Sequence, residues 1–196
     1  LVFFKEFKLI LKSLKFPARA EVITLASVFM LGIAGQLAII APSGIFLNSD
    51  IVFWSSHGHD ASWHIALMEE INKGFDLQNP VFAGERLINY HFFSDIAPAA
   101  FSKYLEISNL DVYFRFFPFL FSLLLGGSAF FLGKRLGGTF SSGIWATIFT
   151  YFAGSFGYLA TLIKNGQIGG ESIFWATQVQ SSSGNPPQII SCVLIL

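Results

Sequence analysis

The sequence predicts an all-α fold, a polytopic transmembrane helix bundle with three full spans, the start of a fourth, and a long extracytoplasmic loop that contains amphipathic helices. The first observation is composition: 53% of the 196 residues are hydrophobic and 12% are charged, whereas a soluble domain carries about 25% charged residues. The second is that apolar runs recur, each near the roughly 20 residues that a helix needs to cross a bilayer. Helices are expected because backbone polar groups in lipid must be paired within their own segment.

The N-terminal segment, residues 1–20, mixes basic and apolar side chains. Five lysine or arginine residues lie among phenylalanines and leucines at spacings of mostly three and four. This spacing is typical of an amphipathic helix lying on an anionic membrane face, and it fits equally well a basic flank that precedes a span. We expect the segment to be cytoplasmic in either case.

Three apolar runs are predicted to span the membrane: residues 21–41, 115–133 and 140–163. The final residues, 189–196, have the composition of the start of a fourth span. Because the chain begins at a leucine and ends inside that apolar run, we expect it to be a fragment of a longer protein.

The positions of lysine and arginine predict the orientation. Basic residues gather before the first span and at Lys134 and Arg135, in the tight turn between the second and third spans. Two crossings separate these sites, so the positive-inside rule places both in the cytoplasm. The predicted location is the plasma membrane with a cytoplasmic N-terminus, and residues 42–114 and 164–188 then lie outside. A net charge of zero gives no sign of a nucleic-acid partner, and the single cysteine, Cys192, excludes a disulfide within the chain.

The outer loop at residues 42–114 carries most of the polar chemistry. Between residues 42 and 111 lie nine of the twelve acids, all four histidines and three of the twelve basic residues, a formal charge of −6 with histidine neutral. Loops of this length are usually functional or disordered. Because tryptophan, tyrosine and phenylalanine are frequent in this loop, we expect a folded layer on the membrane surface.

The first motif of the loop is His57-Gly58-His59-Asp60-Ala61-Ser62-Trp63-His64. A helix is predicted from Asp60 to Lys73, which puts Asp60 and His64 on one face at a spacing of i,i+4. Aspartate is also a favoured N-cap because its carboxylate accepts hydrogen bonds from the first turn of a helix. Asp60 therefore has a structural interpretation beside the functional one.

The second motif follows a turn that Pro80 and Gly84 predict. A helix starting near Tyr90 would put His91 and Asp95 at i,i+4 as well. Buried together with the first pair, these side chains could bind a divalent cation or carry a proton. The alternative is that all of them are polar residues of a solvated loop.

In these two motifs the sequence resembles polytopic membrane glycosyltransferases of the GT-C class, particularly bacterial and archaeal relatives of the protein mannosyltransferase type. The order of elements is similar: a short cytoplasmic segment, one span, and a large outer loop that opens with an aspartate. The matching patterns are Asp60-x-x-x-His64-x-Ala66-x-x-x-Glu70-x-x-x-Gly74 and Asn79-Pro80-x-x-x-Gly84-x-x-Leu87-x-x-Tyr90-His91.

The resemblance implies transfer of a sugar from a polyprenyl-phosphate donor in the lipid bilayer to a glycan, lipid or protein acceptor outside the membrane. Asp60 matches the catalytic acid of the family's first outer loop, where it would act as a general base on an acceptor hydroxyl or hold a cation at the phosphate. Many members carry paired acids there, whereas His59 and Ala61 flank Asp60, so the need for a metal stays open. If a divalent cation, Mg²⁺ or Mn²⁺, is the cofactor, its candidate ligands are Asp60, His64, His91 and Asp95.

The resemblance also implies a substrate-binding set. Arg86, Lys103 and Arg115 are the expected partners of the donor phosphate, although Arg115 fits equally well as an interface anchor. Acidic and aromatic residues of the second motif are expected near sugar hydroxyls. The full predicted set is His64, Glu85, Arg86, Tyr90, His91, Asp95, Lys103 and Arg115.

The alternative function is a polytopic transporter or a flippase-like protein without glycosyl transfer. Transporters place ionisable side chains near the middle of the bilayer, often on broken helices. The predicted spans here hold almost no charge and the acids lie outside them, which argues against ion transport. A third interpretation is a structural membrane protein without an active site.

Overall fold

The computed structural model describes residues 17–54, 57–74, 76–153, 162–166 and 186–195. The predicted basic segment up to residue 16, most of the second outer loop and most of the last part of the third span lie outside these residues. Within them the chain is mainly helical, as expected. It also contains a two-stranded antiparallel hairpin that the sequence did not predict.

An irregular stretch separates the second and third helices, and most of the chain between the last two helices lies outside the described residues. They are α1 (Arg19–Ile40), β1 (Ile45–Leu47), β2 (Asp50–Val52), α2 (His57–Lys73), α3 (Phe93–Leu105), α4 (Asn109–Gly137), α5 (Phe140–Phe152) and α6 (Pro186–Ile195).

Two helices, α1 and α4, are long and apolar enough to cross a membrane. The first matches the predicted span at residues 21–41 within two residues at its start and one at its end. The second contains the predicted span at residues 115–133 but begins six residues earlier, at Asn109. Of the third predicted span the structure describes a helix of 13 residues, α5, so the three-span bundle is only partly supported. Over the predicted start of a fourth span, residues 189–196, the structure describes part of α6, a helix of 10 residues.

The early start of α4 has a local cause. Ser108 caps the helix through its hydroxyl, which accepts a hydrogen bond from the backbone of Asp111. Pro118 has no backbone N–H and so leaves one helical carbonyl without its usual partner. The chain accommodates this proline with a π-helical stretch, Val112–Phe116, in which the N–H of Phe117 reaches back to the carbonyl of Val112. Such bulges let a helix continue past an irregular position, and the proline therefore does not mark the helix start.

The helices α1, α4 and α5 pack closely against one another around Tyr151. Its hydroxyl donates a hydrogen bond of 2.7 Å to the backbone carbonyl of Ser122, and its ring lies edge-on to Phe29. A Cβ atom added at Gly32 or Gly126 would overlap the Tyr151 side chain. The two glycines therefore provide the room in which this tyrosine joins the three helices, as small residues commonly do between membrane helices.

The two ends of the bundle are defined by side-chain contacts. At one end, Glu21 of α1 lines a single cavity with Ser141 and Trp145 of α5. At the other end, Arg115 of α4 donates a 3.0 Å hydrogen bond to the backbone carbonyl of Ser43, just beyond α1. The start of α1 and the turn between α4 and α5 thus lie at the same end, opposite the hairpin, α2 and α3.

The second packing centre joins α2 and α3 to the ends of the long helices. Its buried side chains come from every one of these elements: Ile40, Ala61, Met68, Ala99, Val112, Tyr113, Phe114 and Phe117. The amphipathic helices expected in the outer loop are therefore present as α2 and α3, and they form a packed layer against the first turns of α4.

Replacing Gly32 by alanine should lower the free energy of unfolding by about 1–3 kcal/mol, because the new methyl group is forced against Tyr151. Gly35→Ala on the same helix is the matched control, since nothing lies within 4 Å of a Cβ atom there and alanine is the better helix former by about 1 kcal/mol. Thermal unfolding in detergent measures both. Equal melting temperatures for the two variants would contradict the packing described for Tyr151.

Candidate functional site

The layer formed by α2 and α3 against the head of α4 is called the outer layer below. Its centre is a buried pair, His64 of α2 and Asp95 of α3. Nδ1 of His64 and Oδ1 of Asp95 are 2.9 Å apart. The Asp95 side chain is 1% exposed and the His64 side chain 8%. In this hydrogen bond the N–H at Nδ1 donates and the carboxylate oxygen accepts, which leaves Nε2 of His64 for another partner. Ser94 gives a weaker second contact to Asp95, at 3.4 Å.

Tyr113, at the head of α4, completes this centre. Its ring is stacked on the His64 imidazole with the centroids 5.9 Å apart and the planes 21° from parallel. Tyr113 is buried and lies in the π-helical stretch. Three elements that are far apart in sequence therefore meet at one imidazole ring, and a carboxylate fixes the tautomer of that ring.

Asp60 lies one helical turn before His64 and faces solvent. Its side chain is 70% exposed, and Oδ1 is 2.7 Å from Nδ1 of the exposed His59. Because α2 begins at His57, three residues earlier than predicted, Asp60 is inside the first turn and is not the N-cap. A carboxylate at this position is favoured by the positive end of the helix dipole, and it remains accessible to a reactant.

An aromatic group borders the two acids. The rings of Trp63 and Tyr90 meet edge-on with centroids 5.2 Å apart, and the rings of Tyr90 and His91 are stacked at 4.6 Å. Burial raises the pKa of Tyr90, and the negative charges of Asp95 and Asp60 raise it further. Tyr90 is therefore close enough to feel both carboxylates, and its phenol stays protonated at neutral pH.

The predicted helix start near Tyr90 is wrong. The helix α3 begins at Phe93, so His91 precedes it and cannot share a helical face with Asp95. Tyr90 and His91 lie in the irregular segment before the helix, and their rings are stacked on each other. Asp95 instead pairs with His64, and the partner of Asp60 is His59.

The three predicted phosphate-binding cations all have partners within the chain. Arg86 is paired with Asp76 at 2.9 Å between two exposed side chains. Lys103 donates to the backbone carbonyl of Asn72, at the end of α2. Arg115 contacts Asp111 at 2.8 Å as well as the carbonyl of Ser43, and its role as an interface anchor stays a prediction.

The turn predicted from Pro80 and Gly84 is confirmed. The side chain of Asn79 accepts hydrogen bonds from the backbone of the next two non-proline residues, and Gly84 adopts a φ of +85°, which favours glycine. Glu85 closes the turn, since its backbone carbonyl accepts from Asn79 at 2.7 Å. The Glu85 side chain is exposed at the tip of this loop, and its role near a sugar stays a prediction.

His57 was not predicted to be special, yet it is buried and neither ring nitrogen has a hydrogen-bond partner. Burial lowers the pKa of this imidazole, so it is neutral at neutral pH. The sequence offered no signal for this, because His57 and the exposed His59 are neighbours in the same motif. Trp63 was visible in the motif without a stated role, and Tyr113 was hidden in an apolar run.

The predicted set of four metal ligands does not assemble in the structure. Among the described residues, no group of three or more His, Cys, Asp or Glu side chains is arranged to hold a metal ion. The acids and histidines are instead arranged as two separate pairs, His64–Asp95 and His59–Asp60. Each pair brings a carboxylate within hydrogen-bond distance of an imidazole.

Comparison with protein-family models, with curated proteins and with solved structures finds no match to this chain. The resemblance of its two motifs to the GT-C class therefore stays a prediction from the sequence.

Replacing His57 by phenylalanine should reduce the loss of stability at acid pH. Because the pKa of His57 is lower in the folded chain than in the unfolded chain, the unfolded chain binds a proton at a higher pH. The contribution of His57 to the free energy of unfolding is therefore fully present above its unfolded pKa of 6.5, and it falls as the pH drops below that value. The slope from one such group is at most about 1.4 kcal/mol per pH unit. Melting temperatures in detergent from pH 8 to pH 5 measure this slope for the parent and the variant.

His59→Gln is the control, because His59 is exposed and its removal should leave the slope of stability against pH nearly unchanged. A His57→Phe variant that loses as much stability as the parent between pH 8 and pH 5 would show that His57 is not buried as a neutral imidazole.

Proposed function

We propose that this chain is the membrane anchor and outer active-site layer of a GT-C-type glycosyltransferase, which transfers a sugar from a polyprenyl-phosphate donor to an acceptor outside the membrane. The observation that carries the proposal is the placement of Asp60. This carboxylate is exposed, lies one turn from the buried His64–Asp95 pair, and belongs to a layer that packs on the ends of two helices long enough to span a bilayer.

The membrane setting gives the layer its orientation. The start of α1 and the turn after α4 lie at one end of the bundle, and this is the end that carries Arg19, Lys134 and Arg135. The positive-inside rule assigns such an end to the cytoplasm. Asp60 and the rest of the outer layer then face the outside of the plasma membrane, at the level where the phosphate of a polyprenyl lipid emerges from the acyl chains.

The proposed step is a displacement at the anomeric carbon of the donor sugar. An acceptor hydroxyl forms the new bond to that carbon while the bond from the carbon to the phosphate oxygen breaks, and polyprenyl phosphate leaves with the bonding electrons. Asp60 takes the proton of the acceptor hydroxyl as general base, a role typically worth 10²–10⁴-fold in rate. The described residues offer no three-ligand metal centre, and no step is assigned to a cation.

The buried pair and the aromatic group have positioning roles in this proposal. His64 and Asp95 fix α2 against α3, which sets the direction in which Asp60 projects from the first turn of α2. Trp63, Tyr90 and His91 present ring surfaces beside the acids. Such rings supply rigid apolar contact area with polar edges, which suits the faces and hydroxyls of a sugar.

Asp60→Asn should abolish transfer, with a rate at least about 10²-fold below the parent because asparagine cannot accept the proton. Membranes containing the full-length protein would be supplied with polyprenyl-phosphate mannose or polyprenyl-phosphate glucose that carries a radiolabelled sugar. The measurement is release of labelled sugar from the donor lipid into products. Glu106→Gln is the control, since Glu106 is an exposed acid just beyond α3.

Two results would count against the proposal. Transfer by the Asp60→Asn variant at the parent rate would remove Asp60 from the mechanism. No transfer from either donor by a parent protein that is folded and inserted would contradict donor use of this kind, and would favour the transporter or flippase-like alternative.

A further inference from the structure

Five of the six strand residues of the hairpin between α1 and α2 are apolar. Ile45 pairs with Val52, Phe46 with Ile51, and Leu47 with Asp50. Since successive side chains of a strand point to opposite faces, one face carries Phe46 and Ile51 alone, and the other carries Ile45, Leu47 and Val52 together with Asp50. All six strand residues are exposed in the structure, and Trp54 just after the hairpin is exposed as well.

This pattern does not fit a hairpin in water. An antiparallel sheet that packs on a protein core buries one face and presents polar residues on the other. A lone two-stranded hairpin is also only marginally stable in water. A turn whose two central residues, Asn48 and Ser49, both have positive φ connects the strands in the compact way typical of hairpins. The wholly apolar face of Phe46 and Ile51 therefore calls for an apolar medium beside the hairpin.

The position of the hairpin identifies that medium. It begins five residues after the end of α1, and Ser43 ties its base to both long helices. The hydroxyl of Ser43 accepts from the backbone N–H of Trp54 at 3.0 Å, and its carbonyl accepts from Arg115 at 3.0 Å. Phe53 also packs against Phe114 of α4, with centroids 5.8 Å apart. The hairpin is thus fixed at the level where α1 ends and the apolar part of α4 begins.

We infer that the hairpin lies in the interfacial region of the outer leaflet, with Phe46 and Ile51 turned toward the acyl chains and with Asp50 and the open strand edges among the headgroups. The inference rests on the proposed membrane embedding, and it does not depend on glycosyl transfer. Lipid is the occupant because the base of the hairpin is fixed beside the ends of two helices that are long and apolar enough to span a bilayer. Trp54 and Arg115 then lie at the interface, where tryptophan and arginine anchor membrane proteins. The single acid of the strands, Asp50, lies next to the turn.

Spin labels at three equally exposed apolar positions test this inference. Phe46 in the hairpin, Leu31 in the middle of α1 and Val81 in the turn between α2 and α3 are 66%, 65% and 67% exposed. Each is replaced by cysteine in a protein whose native Cys192 is changed to serine. The labelled proteins are reconstituted in phosphatidylcholine vesicles, and collision of the label with oxygen and with a water-soluble nickel chelate is measured by electron paramagnetic resonance.

The label at Phe46→Cys should collide freely with oxygen and little with nickel, as the label at Leu31→Cys does. Its ratio of oxygen to nickel collisions should be several-fold higher than that of Val81→Cys, which is exposed to water. A label at position 46 that matches position 81, or that is shielded from both reagents by protein, overturns the inference. If the label at position 31 is also accessible to nickel, the proposed membrane embedding of α1 is contradicted. This result separates a failure of the membrane proposal from a failure of the hairpin inference alone.

Discussion

The contact between His64 and Asp95 holds the outer part of this molecule together. It joins α2 to α3 across a sequence separation of 31 residues, and the stacked ring of Tyr113 extends the connection to the head of α4. Removing one partner of a buried hydrogen bond typically costs about 1–3 kcal/mol, because the other polar group stays buried without a partner. The pair therefore specifies one arrangement of the layer, and the direction of Asp60 follows from it.

The molecule has two packing centres with different physical bases. Between the long helices, close approach depends on small residues, and Tyr151 fills the space that Gly32 and Gly126 leave open. In the outer layer, larger apolar side chains such as Met68 and Phe114 surround a polar pair. The head of α4 belongs to the outer centre and a later part of the helix to the inner one, so α4 takes part in both.

The long helices could be predicted closely, because a run of apolar residues without charge leaves helix as the only economical structure in lipid. The end of α2 at Lys73 and the turn at Pro80 and Gly84 also followed from local signals. The hydrogen-bond partners of the polar side chains could not be predicted, because spacing along a helix indicates a shared face and cannot indicate a contact between residues 31 positions apart. The hairpin was missed for a related reason: its strands are three residues long, too short to show an alternation distinct from the apolar end of a span.

Nitrogen-15 solid-state NMR of the full-length protein in bilayers, with labelled histidine, tests the central contact most directly. Comparison with a His64→Gln variant assigns the His64 signals. The contact with Asp95 predicts that Nδ1 of His64 carries a proton whose hydrogen bond to Asp95 shifts its signal, and that Asp95→Asn changes this signal while leaving that of His59 in place. A His64 ring protonated only at Nε2, or a signal that Asp95→Asn does not move, would contradict the arrangement of the outer layer.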